Sequence, residues 1–404
     1  MRLPRIARRP LAASTLLVIA FASACEQKEL VNGPRLTGKD TLFASYVALG
    51  NSITAGFQSG GILDTTQAES YAALFAHQVG TRYAFPGFRP PGCPPPIVNF
   101  QTGARLGGGT PSTCALRDPS SVTMALNNVA VPGAAVIDPT SPLSPNGNPL
   151  TTLILGGKTQ VQRALDAQPT FVSIWIGNND VLGPALSGFA FGTPTPVDSF
   201  GLRYDAMMAQ LTSARKGLTG ILFGVVNVTQ VPALFPVDSL IADPTFKAEF
   251  NAAVTGNPAT DVPVSGDCNG AHALVSLEII AALQSTTPGH PTSVDCATQA
   301  PFTLDTVKQA IVSQTVAAYN QHISTAATSA GFAFIDVNPL LAQLRARGLI
   351  AARPDFTSAT APFGPVFTLD GFHPSALAQQ LIVNAMIAAV NTKYGTAIDT
   401  VAHP

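Results

Sequence analysis

Beyond residue 40 the chain alternates short, unbroken apolar runs with stretches in which apolar side chains recur every three or four positions. Phe43–Leu49 (FASYVAL), Asn128–Val131, Phe171–Ile176 (FVSIWI), Gly220–Val228 (GILFGVVNV) and Phe332–Val337 (FAFIDV) predict strands, the first and third closed by Gly50 and Gly177. Residues 66–80 put Tyr71, Leu74, Phe75 and Val79 on one helical face, and Gly80 ends that helix. Further helices are expected over 158–167, 199–217, 304–330 and 374–392. Continuous apolar strands separated by helices indicate a parallel sheet covered on both faces. The expected fold is α/β: a three-layer α/β/α sandwich of flavodoxin-like type with about five parallel strands. It forms one domain over 41–395, with a tail at 396–404.

Pro-, Gly- and Thr-rich insertions interrupt this pattern at about 84–124, 138–157, 183–198 and 230–303. The first and last hold all four cysteines of the body of the chain, so they are expected as stapled loops. Cys93–Cys114 and Cys268–Cys296 are the sequence-local pairs, each closing a loop worth about 3 kcal/mol in the chain-entropy model. No Cys-x-x-Cys or Cys/His cluster points to a metal site, and no cofactor is implied.

The N-terminus has a different character. Arg2, Arg5, Arg8 and Arg9 precede an apolar run, Leu11–Ala22, and Ser23-Ala24 offers small residues for cleavage before Cys25. Residues 1–24 read as an export signal, too short and wrongly flanked for a stable membrane span. Ala22-Ser23-Ala24-Cys25 resembles a bacterial lipobox, in which the Cys is diacylated and becomes the mature N-terminus. That reading makes 25–40 a tether and Cys25 a lipid anchor to the cell envelope. Glu26 favours the outer membrane; secretion or a periplasmic location after cleavage near Ala24 is the alternative.

Charge narrows the partners. Charged residues make up 11% of the chain, with 22 basic against 23 acidic, where a soluble domain averages roughly 25%. Removing the four signal arginines leaves 18 basic groups against 23 acidic ones. There is no basic stripe for nucleic acid, and 46% hydrophobic content argues against disorder.

Candidate chemistry lies where strands end. Strand one runs into Gly50-Asn51-Ser52-Ile53-Thr54-Ala55-Gly56, which sets Ser52 at the carboxyl edge of the sheet, where ligands bind in such folds. Strand two leads to Pro132-Gly133, with an unhindered Gly133 N–H, and strand three to Gly177-Asn178-Asn179-Asp180, with a carboxamide N–H. Before the last helix stands Asp370-Gly371-Phe372-His373-Pro374, where a carboxylate three residues ahead of an imidazole can accept its Nδ1–H.

These four blocks, in this order, resemble the SGNH (GDSL-type) serine hydrolase superfamily, from Phe43 to about Ile387. The resemblance implies Ser52 as nucleophile, His373 as base and Asp370 as its orienting acid. It also implies an oxyanion hole of the Ser52 and Gly133 N–H groups and the Asn179 side chain. Asn128, Ala130 and Gly133 fit the spacing of the second block, and Val225–Pro232 is similar to the fourth strand and its loop. Asn51 stands where the family usually has Asp. The implied activity is a serine esterase or lipase acting on a small-molecule, lipid or acetylated-glycan ester. The alternative is a non-catalytic surface lipoprotein that uses the fold for binding.

Other residues read as structural. Asp180 is expected to be structural and Trp175 core; His77, His272, His290, His322 and His403 are expected on the surface. Phe189, Phe191, Phe200 and Phe235 either line an acyl pocket or pack the insertions. Ser52, Asn179, Asp370 and His373, at a solvent-facing sheet edge, are expected to be replaceable without great loss of stability.

Overall fold

Why the apolar runs become strands is visible in which way their side chains point. The structure, a computed structural model, describes residues 42–115, 125–141 and 149–402. The signal segment, Cys25, the tether and His403 lie outside the described residues. In chain order the elements begin with β1 (Tyr46–Gly50), α1 (Ser52–Ala55), α2 (Asp64–Ala68) and α3 (Tyr71–Gln78). Then come α4 (Pro149–Leu155), α5 (Gln160–Asp166), β2 (Phe171–Trp175), α6 (Asn179–Leu186), α7 (Val197–Ala214) and β3 (Thr219–Phe223). The chain continues with β4 (Leu234–Pro236), α8 (Asp238–Ala242), α9 (Pro244–Thr255), β5 (Leu274–Ser276), α10 (Glu278–Leu283) and β6 (Thr303–Leu304). It closes with α11 (Thr306–Ala330), β7 (Ala333–Ile335), α12 (Asn338–Ala346) and α13 (Ala376–Tyr394).

Among the described residues β1, β2, β3 and β7 form a parallel sheet in the order β1-β2-β3-β7. Successive side chains of a strand face opposite sides, and here both sides are apolar. Val47, Leu49, Val172, Ile174 and Leu222 pack on one face with α5, α7 and α11. Tyr46, Ala48, Phe171, Ile221 and Phe223 pack on the other with α3 and α13. That two-sided burial makes the three-layer α/β/α sandwich and explains the lack of polar alternation in the strands.

The main sheet has four strands, one fewer than expected. Asn128–Val131 runs beside β1 but is no regular strand: one parallel bridge, Ala48 to Asn128, is present. The Asn127 side chain donates to Tyr46 O at 2.8 Å in place of a main-chain rung, and Pro132 stops the run. The helix expected over 66–80 is two helices. Ser70 separates them, its Oγ accepting from Ala73 N at 3.2 Å to cap the second.

Both disulfides are present, Cys93–Cys114 and Cys268–Cys296. The insertion at 230–303 is stapled as expected, by Cys268–Cys296, but it is folded and not a loop. β4, β5 and β6 form an antiparallel sheet, with α8, α9 and α10 against it. Phe235, Phe246, Phe250, Val275, Cys268 and Cys296 are buried together with Phe356, which arrives from more than fifty residues beyond the insertion. Strands of two or three residues show too little periodicity to be read locally, and their core depends on a remote aromatic ring. In the tail, Ile398 N and Val401 N bond the Asn391 and Asn384 side chains of α13.

Candidate active site

Ser52 is the first residue of α1, directly after β1. The turn is forced by local chemistry. Asn51 caps the helix, its Oδ1 accepting from Ile53 N at 3.1 Å. Gly50 is sterically obligatory, because a Cβ there would lie 2.5 Å from Trp175 O and 2.6 Å from Thr54 Oγ1. The Ser52 N–H therefore sits at a helix start, where main-chain donors are free to meet an anion.

Three buried side-chain amides fix this turn from outside. Gln160 of α5 accepts from Gly50 N at 2.9 Å and donates to Gly50 O at 3.0 Å. Gln379 of α13 donates to Ile53 O at 3.2 Å, and Asn128 donates to Thr54 O at 2.8 Å. Gln160 and Gln379 are fully buried, yet nothing in sequence marks them: a glutamine in a helix is ordinary until its partner is known.

His373 and Asp370 lie in the loop before α13. Asp370 Oδ2 accepts from His373 Nδ1 at 2.8 Å, which leaves Nε2 as the proton-accepting nitrogen. Asp370 also accepts from the N–H groups of Gly60 (2.6 Å), His373 (3.0 Å) and Phe372 (3.2 Å) and from Thr368 Oγ1 (3.1 Å). Burial acts to raise its pKa, but the His373 charge and these donors prevail and hold it at about 2. Arg105 steadies the Gly60 turn by donating to Gly60 O at 2.8 Å. Gly60, Thr368 and Arg105 belong to the site through contacts no motif announces. Phe57 and Phe372 lie tilted against the His373 ring, with centroids at 5.1 and 4.6 Å.

Gly133 has a left-handed φ of 82° and lies exposed on the cleft with Ser52, Asn179 and His373. Asn179 opens α6; its Nδ2 donates to Ala134 O at 2.8 Å, and an amide nitrogen has a second N–H to offer. The four sequence blocks thus converge on one cleft. Ser52 and His373 share its lining with no hydrogen bond between them, as is common before substrate arrives. Such an arrangement can move a proton from a hydroxyl to an imidazole and meet a developing oxyanion with N–H donors. The solvent-facing expectation is corrected here: Ser52 and His373 are 9% and 5% exposed, and the Asp370 side chain 8%.

Behind Ser52 an apolar cavity of about 90 Å³ runs to the contact of α12 with α13, lined by Val226, Val337, Leu340, Leu344, Phe372 and Ala378 among others. None of the four phenylalanines weighed as acyl-pocket candidates lines it. Phe200 is buried and stacked on Tyr319, Phe235 is in the core of the insertion, Phe191 is 81% exposed, and Phe189 packs partly against the main core. Trp175 is buried between Tyr71 and Phe223 and also reaches the cavity wall. His272 and His322 pair with Asp238 and Asp205 at 2.8 and 2.9 Å. Among the described residues no group of three or more His, Cys, Asp or Glu is placed to hold a metal ion.

No curated protein sequence matches the chain. Among solved structures it is similar to an extracellular lipase from Streptomyces rimosus, at 14% identity over 86% of this chain and 99% of that one, TM-score 0.39. It is similar at 12% identity to an acetylxylan esterase from Geobacillus stearothermophilus, covering 89% and 97%, TM-score 0.39. A phospholipase A1 from Streptomyces albidoflavus is similar at 14% identity, covering 87% and 99%, TM-score 0.33. The GDSL-like Lipase/Acylhydrolase family matches residues 46–386, most of the chain and all four blocks, so the protein belongs to that family of ester hydrolases.

Proposed function

We propose that the protein is a serine carboxylesterase for neutral esters with short to medium acyl chains. Ser52 Oγ attacks the ester carbonyl while His373 Nε2 takes its proton, and Asp370 holds the imidazole in the required tautomer. The negative charge on the carbonyl oxygen falls to the N–H groups of Ser52, Gly133 and Asn179, each such donor being worth about 3–4 kcal/mol in the transition state. His373 returns the proton to the leaving alkoxide, and water, deprotonated in turn by His373, releases the acyl group from Ser52. The observation that carries this reading is the buried His373–Asp370 pair beside Ser52 at the mouth of an apolar cavity. Among the described residues lining that cavity no Asp, Glu, Lys or Arg occurs, so a charged acyl group would lose its hydration uncompensated.

A fluorophosphonate probe is expected to label Ser52, and p-nitrophenyl esters of rising chain length to be hydrolysed with an optimum below that of long-chain lipids. Ala378→Leu adds bulk to the cavity wall and is expected to shift the optimum by roughly two carbons toward shorter chains. Phosphodiester cleavage without carboxylester cleavage overturns the reading.

Export and anchoring belong to the same proposal. Their support is the Arg2–Arg9 region, the Leu11–Ala22 run, the Cys25 lipobox and two disulfides of the kind that persist in oxidising compartments. Among the described residues no helix is long and apolar enough to cross a membrane. Expressed in a bacterium, the chain is expected to take up labelled palmitate and to sediment with membranes, and Cys25→Ser to abolish both. Native protein carrying no lipid overturns the anchor.

A further inference from the structure

A buried carboxylate next to the oxyanion loop has no part in the proton transfers above. Asp180, the second residue of α6, is 4% exposed. Its Oδ2 accepts from Val136 N at 2.8 Å and its Oδ1 from the Thr195 hydroxyl at 2.8 Å. Thr195 in turn donates its N–H to Asp180 O at 3.1 Å and accepts the Tyr319 hydroxyl of α11 at its own carbonyl. Asn179, one residue earlier, donates to Ala134 O at 2.8 Å. Adjacent residues at the start of α6 therefore grip the 133–136 loop at two successive points, and α11 braces them through Thr195.

We propose that Asp180 is a positioning residue for the oxyanion hole, fixing the Gly133–Val136 loop so that the Gly133 N–H and the free Asn179 N–H converge on one oxygen. The inference rests on the assignment of Ser52, Gly133 and Asn179 made above. Gly133 is exposed and left-handed, so its own surroundings do not set where its N–H points; the anchored residues after it do. An ionised acceptor makes shorter and stronger bonds than a neutral one. It is also a costly choice if the loop merely needed an acceptor. Burial pushes the Asp180 pKa up to about 6, against the lowering effect of its bonds from Thr195 and Val136. Asp138 of the same loop raises it further, and Arg203 of α7 lowers it; the Tyr319 hydroxyl is the other titratable group facing it. A protonated carboxyl must turn one of its two acceptor positions into a donor, so the grip on the loop weakens as pH falls through about 6.

The test uses the mature chain and p-nitrophenyl butyrate. Asp180→Ala is expected to lower kcat by about 30–100-fold while KM changes less than about threefold, the pattern of an interaction realised in the transition state. Asp180→Asn keeps an acceptor for Val136 N and a donor for Thr195. It is expected to recover kcat to within about tenfold of wild type at pH 8 and to show a shallower fall in kcat through pH 6 than wild type, since the part of the fall that comes from Asp180 is gone while the part that comes from the base remains. Because its raised pKa makes the charged form costly above pH 6, Asp180→Asn is expected to melt no lower than wild type at pH 8. If Asp180→Ala does not fold, Thr195→Val and Asp180→Asn carry the test: a lowered kcat in the first and an altered pH profile in the second support the proposal. Unchanged kcat in folded Asp180→Ala, or wild-type kcat and pH profile in the other two, overturns it. The parent reading fails separately, if wild type hydrolyses no ester or Ser52→Ala retains activity.

Discussion

Replacing Ser52 by Ala is expected to lower kcat by on the order of 10⁵–10⁶-fold on any ester the wild-type chain hydrolyses. In the proposed mechanism this hydroxyl forms the acyl-enzyme; among the described residues the other hydroxyls that line the cleft with His373, those of Ser112 and Thr113, do not open a helix as Ser52 does. Residual rate over water should persist, because the proposed oxyanion donors and the apolar cavity remain. The substitution removes one oxygen from a side chain that makes no hydrogen bond to His373, so the melting temperature should move by less than about 2 °C. His373→Ala is expected to cost nearly as much, and the double variant scarcely more than either, since the two act as a unit. The measurement is kcat for the folded variants, with fluorophosphonate labelling alongside. A folded Ser52→Ala that keeps most of the activity removes Ser52, and the mechanism built on it, from consideration.

Asp370→Asn is expected to lower kcat by about 10⁴-fold and to change the acid stability of the protein. An amide at 370 has one acceptor oxygen where the carboxylate uses two. The three donors at Oδ1 claim that oxygen, so the NH2 group is turned to the Oδ2 position, where it faces His373 Nδ1 and favours the tautomer with the proton on Nε2. The sign of the pH effect follows from the depressed pKa. Asp370 ionises at about 2 in the folded chain against an ordinary 3.8, so the stability it contributes is present above about pH 4 and is lost as pH falls toward 2. That contribution is roughly 2 kcal/mol, one pKa unit being about 1.4 kcal/mol. Thermal melts from pH 2 to pH 5 are expected to show wild type above Asp370→Asn at pH 5, with the gap closing toward pH 2. A gap that stays constant means that the carboxylate charge does not stabilise the fold. An unchanged kcat means that Asp370 does not orient His373.

Much of the site was legible because each block depends on local chemistry. A Gly-Asn-Ser turn after an apolar run, a Gly after Pro132, an Asn opening a helix and an Asp three residues before a His are all short-range patterns. Their order along the chain carried the family resemblance, and the family match spans them. What holds the blocks in register was not legible. Gln160 clamps Gly50 from 110 positions away, and Gly60 reaches Asp370 across 310. Such pairs have no period and no spacing; they exist once the layers pack. The buried state of Asp370 was hidden for the same reason, since its burial comes from the turn at Ser59–Gly60 folding over it and bonding residues 368–370.

By itself, then, the sequence determined the alternation of strands and helices, the parallel sheet with two apolar faces, the local cysteine pairs and the residues that meet in the cleft. Each of these follows from patterns within one element or one loop, where periodicity and turn chemistry act at short range. Tertiary structure alone decided that Asn128–Val131 lies bonded along β1 without forming a regular strand, the Asn127 amide taking over one rung. It alone decided that the 230–303 insertion builds its own sheet around Phe235, Phe246 and the distant Phe356, and that the apolar cavity beside Ser52 is walled by residues of α12 and α13 among others and by none of the phenylalanines of the insertions. In each case the deciding partner lies far away in sequence, and burial against it, which no local pattern encodes, sets the outcome.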